Sequence, residues 1–456
     1  MAFRVRETNG HFVQTVRAGG TGATSPLVRG EWQDNIAGAA PDPAAPETGR
    51  FLDPETARRL APLFRTEIAR RTIALSAAPE AEIAVAIDRG RICAADRAAS
   101  EPISEVELEL KCGRPAALYD VALDLMTVAP LRLERRSKAE RGYRLAAPDA
   151  APVAAVHGAA IELSPDMSGS VALQRIGLAC LNHVMQNEAA ALAGLAEGIH
   201  QMRVGVRRLR AALTAFGKML PTKERRWASQ ELRWLADALG AARNLDVFAG
   251  ALIAPARKAL GASPELAALS AAVERQRKAA YIKAAKAIRS TRYTASLLRM
   301  LRWFETEGWC DGGSQHPLAA SIGEIAPKIL ARRRTVARRR AKGFTGQAPA
   351  ERHRLRIALK KLRYATEMLG GLCDAEAVAQ FTRQLKRLQD DLGDANDVRV
   401  GHDILAQLLR RRTEAAQIRE AGSAVLGWHA RRLARREPKL RRHLDALFTG
   451  EPFWPR

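Results

Sequence analysis

The run His200-Gln-Met-Arg203-Val-Gly-Val-Arg207-Arg208-Leu209-Arg210 returns 153 residues further on as His353-Arg-Leu-Arg356-Ile-Ala-Leu-Lys360-Lys361-Leu362-Arg363. A second pair keeps the same offset: Asp237-Ala-Leu239-Gly240-Ala-Ala242 becomes Asp390-Asp-Leu392-Gly393-Asp-Ala395. Two independent matches at one offset identify an internal duplication. Around them, from residue 170 onward, long Ala/Leu/Arg segments carry apolar residues at three- and four-residue spacing, which is the helical period. Breaks near Gly194, Pro221, Gly240, Ser263, Gly312, Gly343, Gly370, Gly393 and Gly422 predict about ten helices packed as antiparallel bundles. The Asp-x-Leu-Gly runs read as helix C-terminal turns, with Gly240 and Gly393 in the left-handed position.

On a helix, His200, Arg203, Arg207 and Arg210 fall on one face about 80° wide. Met202, Val206, Leu209 and Leu213 form the adjoining apolar stripe. The second copy repeats the arrangement with His353, Arg356, Lys360 and Arg363 beside Leu355, Leu359 and Leu362. Arg208 and Lys361 point elsewhere. Each stripe sets three cations and an imidazole along roughly 15 Å of helix, a ladder suited to a linear anion. Arginine forks match phosphate oxygens bidentately, and an anion beside the histidine raises its pKa. The alternative use of these arginines is pairing with Asp237, Asp246, Asp390 or Asp397. Further cations, Arg332 to Arg334, Arg338 to Arg340 with Lys342, and the set Lys283, Lys286, Arg289 and Arg292, are solvated faces or extensions of a groove.

The charge distribution agrees with a polyanionic partner. Residues 1–150 hold 21 Lys+Arg and 21 Asp+Glu, so the net +24 of the 456-residue chain lies entirely beyond them, as 52 against 28. Such a surplus repels itself unless an anion answers it. No apolar run approaches a membrane span, and MAFRVRETNG lacks the apolar stretch of a signal peptide, so a cytoplasmic protein is expected. Cys93, Cys112, Cys180, Cys310 and Cys373 show no ligand spacing and read as reduced core thiols. Aromatic residues are 5% of the chain, too few for stacking platforms, and no helix-turn-helix, RRM or zinc pattern is present, which weighs against nucleic acid as the partner.

The first 145 residues alternate β-prone runs with turn-rich stretches: HFVQTVRA, LVRGEWQ, EIARRTIALS, EIAVAIDRGRI and EVELELK. They predict a mainly antiparallel sheet, interrupted by a helix over Pro115 to Val128 and ending in a strand over SKAERGYRL. Arg4 and Arg6 are two apart and share a face, as do Glu105, Glu107 and Glu109. Such charged alternation suits a barrel with a polar lumen, to which Arg17, Glu31, Arg65, Arg71 and Arg89 would add. The fold class expected is α+β in two domains. Residues 1–145 form a mainly antiparallel β domain, which the family resemblance given below makes an incomplete β-tunnel, 146–169 a linker rich in Ala and Pro, and 170–450 an all-α pair of duplicated four-helix bundles.

The HxxRVxxRRLR run, its HRLRIALKKLRYATEML copy and the Asp-x-Leu-Gly turns resemble the CHAD domain, the conserved-histidine α-helical domain. That resemblance covers about residues 170–450 and implies two four-helix bundles related by a pseudo-twofold, a basic groove, and inorganic polyphosphate as ligand, with association to polyphosphate granules. The order RVRE, QTVRA, RGEW, FRTEIARRT, IDRG, SEVELELKCG, SKAERGYRL resembles the CYTH domain, a triphosphate tunnel fold often fused ahead of CHAD. It implies an inorganic triphosphatase in which Arg4, Arg6, Arg17, Arg65, Arg71 and Arg89 hold phosphate. Glu31, Glu105 and Glu107 would then be the catalytic carboxylates, with Glu105 and Glu107 on Mg²⁺. That family opens with a Glu-x-Glu-x-Lys strand that has no counterpart ahead of Arg4-x-Arg6, so the tunnel is expected to be short of metal ligands and of a closing strand. Three functions follow: a polyphosphate-binding protein with a vestigial or truncated tunnel domain, a working Mg²⁺-dependent hydrolase of tripolyphosphate, and a nucleic-acid binder.

Overall fold

A computed structural model describes residues 2–19, 29–77, 80–96, 98–147, 152–309, 316–410 and 415–455. The chain divides into two compact units, Met1–Pro152 and Val153–Arg456. In the first, β1 (Ala2–Thr8), β2 (His11–Gly19) and β3 (Arg29–Ile36) form one antiparallel sheet in that order. Asn9 and Gly10, both at positive φ (52° and 80°), make the two-residue turn between β1 and β2, a geometry that the Asn-Gly pair favours. The long loop after β3 is pinned to this sheet by Gln14, whose buried amide donates to Asp42 O at 2.9 Å and to Thr48 Oγ1 at 2.8 Å. A short helix, α1 (Pro54–Arg59), follows.

The second sheet contains β4 (Phe64–Ala77), β5 (Ala81–Ala94) and β6 (Ser100–Cys112), again antiparallel and in sequence order. Among the described residues no ladder joins the two sheets. Two helices close the unit, α2 (Ala116–Val128) and α3 (Lys138–Ala146). The segment SKAERGYRL is therefore helical and not the expected last strand. Ser137 caps it, its Oγ accepting from Glu140 N at 3.1 Å while Glu140 returns a carboxylate to Ser137 N at 2.6 Å. This reciprocal box outweighs the short alternation of apolar residues. Gly142 then lets α3 settle on β4, since a Cβ there would lie 2.2 Å from the Phe64 ring.

In the helical unit, α4 (Gly169–Gln186), α5 (Glu188–Leu192), α6 (Ala196–Ala215), α7 (Thr222–Ala238) and α8 (Gly240–Val247) come first. A π-helical turn at Phe248–Ile253 leads into α9 (Ala254–Leu260), α10 (Pro264–Ile288) and α11 (Thr291–Glu305). The second copy is α12 (Ile322–Ala341), α13 (Pro349–Leu369), α14 (Ala375–Leu409) and α15 (Ala415–Thr449). The helix starts at 169, 196 and 222 return at 322, 349 and 375, each 153 residues later.

The copies meet through bonds that exchange under the same offset. Gly169 N donates to Ala320 O and Ile322 N to Met167 O, both at 2.8 Å; Ser170 N donates to Leu318 O and Gly323 N to Pro165 O, both at 3.0 Å. Equivalent partners bonding reciprocally is the signature of a local twofold.

Several expected breaks fall elsewhere. Gly393 and Gly422 lie inside α14 and α15, and neither Gly240 nor Gly393 has a positive φ. Gly422 serves packing instead, because a Cβ there would lie 2.4 Å from Leu405 Cδ1. Gly194 and Gly343 are left-handed as glycine allows; Gly312 lies outside the described residues. Part of the expected linker belongs to the helical unit. Val156 N donates to Asn187 Oδ1 at 2.9 Å, and Val156 O accepts from Asn187 Nδ2 at 2.8 Å. Of the described cysteines, Cys180 is buried, Cys93 and Cys373 are half-buried and Cys112 is exposed, all free, so among these four only Cys180 is a core thiol. Cys310 lies outside the described residues. No described helix is long and apolar enough to cross a membrane.

Overpacking at Gly142 tests the seat of α3. Gly142→Ala should cost about 1–3 kcal/mol, read as lost hydrogen-exchange protection of the α3 amides. Unchanged protection would contradict the packing.

Candidate functional site

The two basic stripes lie on α6 and α13, which pack against each other. Across that contact Arg207 lies near both Arg356 and Lys360 and disfavours their charged forms. Arg207 and Lys360 are equivalent under the 153-residue offset, so the twofold sets like charge against like.

Among the described residues, no carboxylate lies within 4.0 Å of Arg203, Arg207, Arg210, Arg356 or Lys360; Arg363 pairs with Glu367 at 3.2 Å. The four aspartates considered as partners leave them unpaired. Asp246 accepts from Arg277 Nε at 2.6 Å and Tyr281 OH at 2.8 Å, and Asp237 faces Arg233 at 3.9 Å. Asp390 makes no ion pair among the described residues. Asp397, near Arg356 and Lys360 without an ion pair, is itself held above the usual carboxylate range, chiefly by burial. The Nε atoms of Arg203, Arg207 and Arg356 and the Nδ1 of His200 are buried without a hydrogen-bond partner. Unmet buried donors in such number call for an acceptor.

The electrostatics follow from this crowding. Lys360 is pushed down to about 7 by burial and then by Arg356 and Arg207. Arg203 falls to about 10 through burial, Arg207 and Arg243. His200 falls to about 4, through burial and then Arg243, which leaves it neutral at pH 7. His353 is also lowered, by burial and Arg356, and its Nδ1 lies 3.3 Å from Asn396 Oδ1.

Arg243, on α8, was not singled out by sequence reasoning. Its counterpart 153 residues on is Asn396, so the residue facing the histidine occupies the same place in both copies. Reading the duplication one turn further would have found it. Beside His353, a cavity of about 440 Å³ opens between α13, α14 and α15, with Arg399 and His402 in its wall. Arg208 instead packs on Gly158 and the His183 ring. The other cation runs are partly spent on structure: Arg333 is buried and bonds Thr214 O, Arg334 bonds Phe448 O at 3.1 Å, and Arg292 pairs with Glu231 at 2.9 Å.

In the N-terminal unit, Arg70, Asp88 and Glu105 are direct partners across β4, β5 and β6, and Glu107, two residues on, shares their face. Oxygens of Asp88, Glu105 and Glu107 lie within 4.8 Å of one another, a donor set that fits a hard divalent cation. Helix α3 adds Lys138 and Arg141. Arg70 bonds Asp88 Oδ1 at 2.7 Å and Glu107 Oε2 at 2.6 Å, while Arg141 bonds Glu101 at 2.7 Å and Glu105 at 2.8 Å. Burial opposes the charge on Lys138, yet its hydrogen bonds with Asp88, Glu105 and Glu107 carry it above the usual lysine value. Burial likewise works against Asp88 and Glu107, and Arg70 and Lys138 hold both below the usual carboxylate range.

Of the residues expected in this unit, Glu105 and Glu107 are together. Arg65, Arg71 and Arg89 are exposed and pair with Cys93, Ile87 and Ala69, which puts them on the opposite face of the sheet from Asp88. Arg4, Arg6 and Glu31 belong to the other sheet, where Arg4 lies 3.8 Å from Glu31. Arg17 pairs with Glu31 in the ladder, and its side chain lies outside the described residues. Arg70, Asp88, Lys138 and Arg141 were missed; the Ser-x-x-Glu box at Ser137 was the readable sign that Lys138 and Arg141 sit on a helix.

The CHAD domain model matches residues 175–406 and the CYTH domain model residues 1–143. A crystal structure of the CHAD domain from the plant Ricinus communis superposes with a TM-score of 0.57 at 30% identity, covering 66% of this chain and 98% of that one. An uncharacterized protein of Mycobacterium tuberculosis is 31% identical over 232 residues, 48% of this chain and 42% of its own length. An inorganic triphosphatase of Haemophilus influenzae is 38% identical over 86 residues, 19% of this chain and 24% of its own. The chain thus spans less than half the length of the two curated relatives, from Mycobacterium tuberculosis and Haemophilus influenzae.

His200, lowered to about 4, should show no imidazole titration by NMR between about pH 5 and 8 in the free protein. A midpoint at the ordinary 6.5 would contradict the crowding described.

Proposed function

Because the chain belongs to the CHAD family, with a CYTH domain ahead of the CHAD domain, we propose that it binds inorganic polyphosphate along the paired stripes of α6 and α13. The observation that carries this reading is the proximity of Arg207 to Arg356 and Lys360, with no carboxylate within 4.0 Å of any of the three among the described residues. A chain of phosphates supplies one negative charge after another at a spacing a helical row of arginines can follow. His200, Arg203, Arg207 and Arg210 hold one stretch, and His353, Arg356, Lys360 and Arg363 the other. Such binding would bring the protein to polyphosphate granules.

The acidic cluster of Asp88, Glu105 and Glu107, together with the triphosphatase among the relatives, favours a second activity, Mg²⁺-dependent hydrolysis of tripolyphosphate by the N-terminal unit. Asp88, Glu105 and Glu107 would hold the ion, and Arg70, Lys138 and Arg141 would orient the anion. When bound, the ion supplies Lewis-acid polarisation of a phosphoryl oxygen. Glu31, paired with Arg4, has no part in this cluster.

The test is competition between long-chain polyphosphate and single- and double-stranded nucleic acid over a salt series. Replacing His200, Arg203, Arg207, His353, Arg356 and Lys360 with glutamine should weaken polyphosphate binding at least tenfold and flatten its salt dependence. Unchanged affinity, or displacement of polyphosphate by nucleic acid, would overturn the reading. Release of phosphate from tripolyphosphate, lost roughly tenfold or more in Asp88→Asn, tests the second activity.

Lys360 gives the pH dependence. Its free value of about 7 lies below the ordinary 10.5, and a polyanion favours the charged form. Binding at pH 8 should therefore take up protons, and affinity should fall as pH rises above 7. Calorimetry in two buffers of different ionisation enthalpy measures this, and zero uptake would contradict it.

A further inference from the structure

Lys138 stands where a divalent ion would stand. Its Nζ lies 2.7 Å from Asp88 Oδ2 and 2.7 Å from Glu107 Oε1, and it also contacts Glu105 Oε1. These carboxylates are the donor set just described, and a divalent ion held by them would need the same oxygens. The side chain is 14% exposed and that of Asp88 0%, so the ammonium is enclosed and not a passing surface contact.

The charge balance points the same way. Asp88, Glu101, Glu105 and Glu107 bring four negative charges, while Arg70, Lys138 and Arg141 bring three positive. With all three cations in place the cluster is one charge short of neutral, and a divalent ion would overshoot. With Lys138 withdrawn, four against two leaves a deficit of two, which one divalent ion fills.

Lys138 is the cation able to leave. Arg70 is held by three hydrogen bonds to Asp88 and Glu107, and Arg141 by bonds to Glu101, Glu105 and Pro102 O. These are planar forks fixed at several points, whereas Lys138 is a point charge on a flexible stem. It sits in the first turn of α3, fixed by the Ser137 cap, so its stem can swing without moving the helix. An ammonium leaving buried carboxylates needs another anion to go to.

We propose that Lys138 is a resident counter-cation of the metal site, so that the unit takes up a divalent ion tightly only together with an oligophosphate that draws the ammonium off the carboxylates. The inference rests on the reading of this unit as a site for a divalent ion and tripolyphosphate. Coupling of this kind is reciprocal: anion raises metal affinity by the factor by which metal raises anion affinity.

The test uses the full chain and Mn²⁺ alone, with free ion measured by EPR. Lys138→Met should bind Mn²⁺ at least tenfold more tightly than wild type, and Lys138→Arg should stay within a few-fold of wild type. Equal affinity of wild type and Lys138→Met overturns the inference alone. A second measurement needs no variant: the Lys138 Nζ signal in ¹⁵N-lysine NMR should stay put with Mg²⁺ and move when tripolyphosphate is added as well. Movement with Mg²⁺ alone at the same concentration overturns the inference. Absence of Mn²⁺ binding in either protein, with a Lys138 signal that tripolyphosphate leaves unmoved, overturns it together with the metal–triphosphate reading.

Discussion

Like charge held against like charge is the constraint on which the helical unit is organised. The reciprocal bonds between Gly169 and Ala320 and between Ile322 and Met167 fix a local twofold, and a twofold confronts each residue near its axis with its own counterpart. At α6 and α13 those counterparts are Arg207 and Lys360. Repulsion and burial there displace three different groups toward their neutral forms: Lys360 to about 7, His200 to about 4 and Arg203 to about 10. A structure can sustain this only on a framework of independent strength. Close packing of α4 on α6 and on α11 supplies it, with Gly205 leaving room for Val184 and Gly177 for Phe304.

The N-terminal unit solves the opposite problem with the same residue types. Lys138, surrounded by Asp88, Glu105 and Glu107, has its pKa raised, whereas Lys360, surrounded by arginines, has its pKa lowered. Burial opposes the charge in both, so the neighbours decide the sign. One cluster is nearly neutral by itself and admits a new cation only by giving one up. The other carries an excess that an anion alone can answer. On the proposed reading both arrangements serve phosphate chemistry, with different parts for the two units.

The duplication and the helical stripes were legible because helical period and a repeated offset leave marks in the chain itself. Helix ends were less so. Gly393 and Gly422 read as breaks but lie inside helices, because a glycine serves close packing as readily as a turn, and only the neighbour (Leu405 against Gly422) tells which. Alternation of apolar residues made Ser137 to Leu145 look like a strand, although the capping box at Ser137 and Glu140 was visible in the same residues. Arg70, Asp88 and Lys138 went unnoticed for a different reason. They meet through strand register and the seat of α3 on Phe64, and neither follows from spacing along the chain. Arg71 and Arg89, one residue away from Arg70 and Asp88, illustrate how a single step in register exchanges the two faces of a sheet.

The central claim is that the cations of α6 and α13 are kept together, against their own repulsion, for an anion. Lys360→Met tests it most directly, because methionine keeps the bulk and removes the charge. The penalty on Lys360 is fully present below pH 7 and fades as pH rises toward 10.5, so urea unfolding at pH 6, with and without saturating long-chain polyphosphate, is the measurement. The free variant should be more stable than wild type by about 1–4 kcal/mol and should gain less from polyphosphate. A free variant less stable than wild type that keeps the full polyphosphate gain would contradict the account.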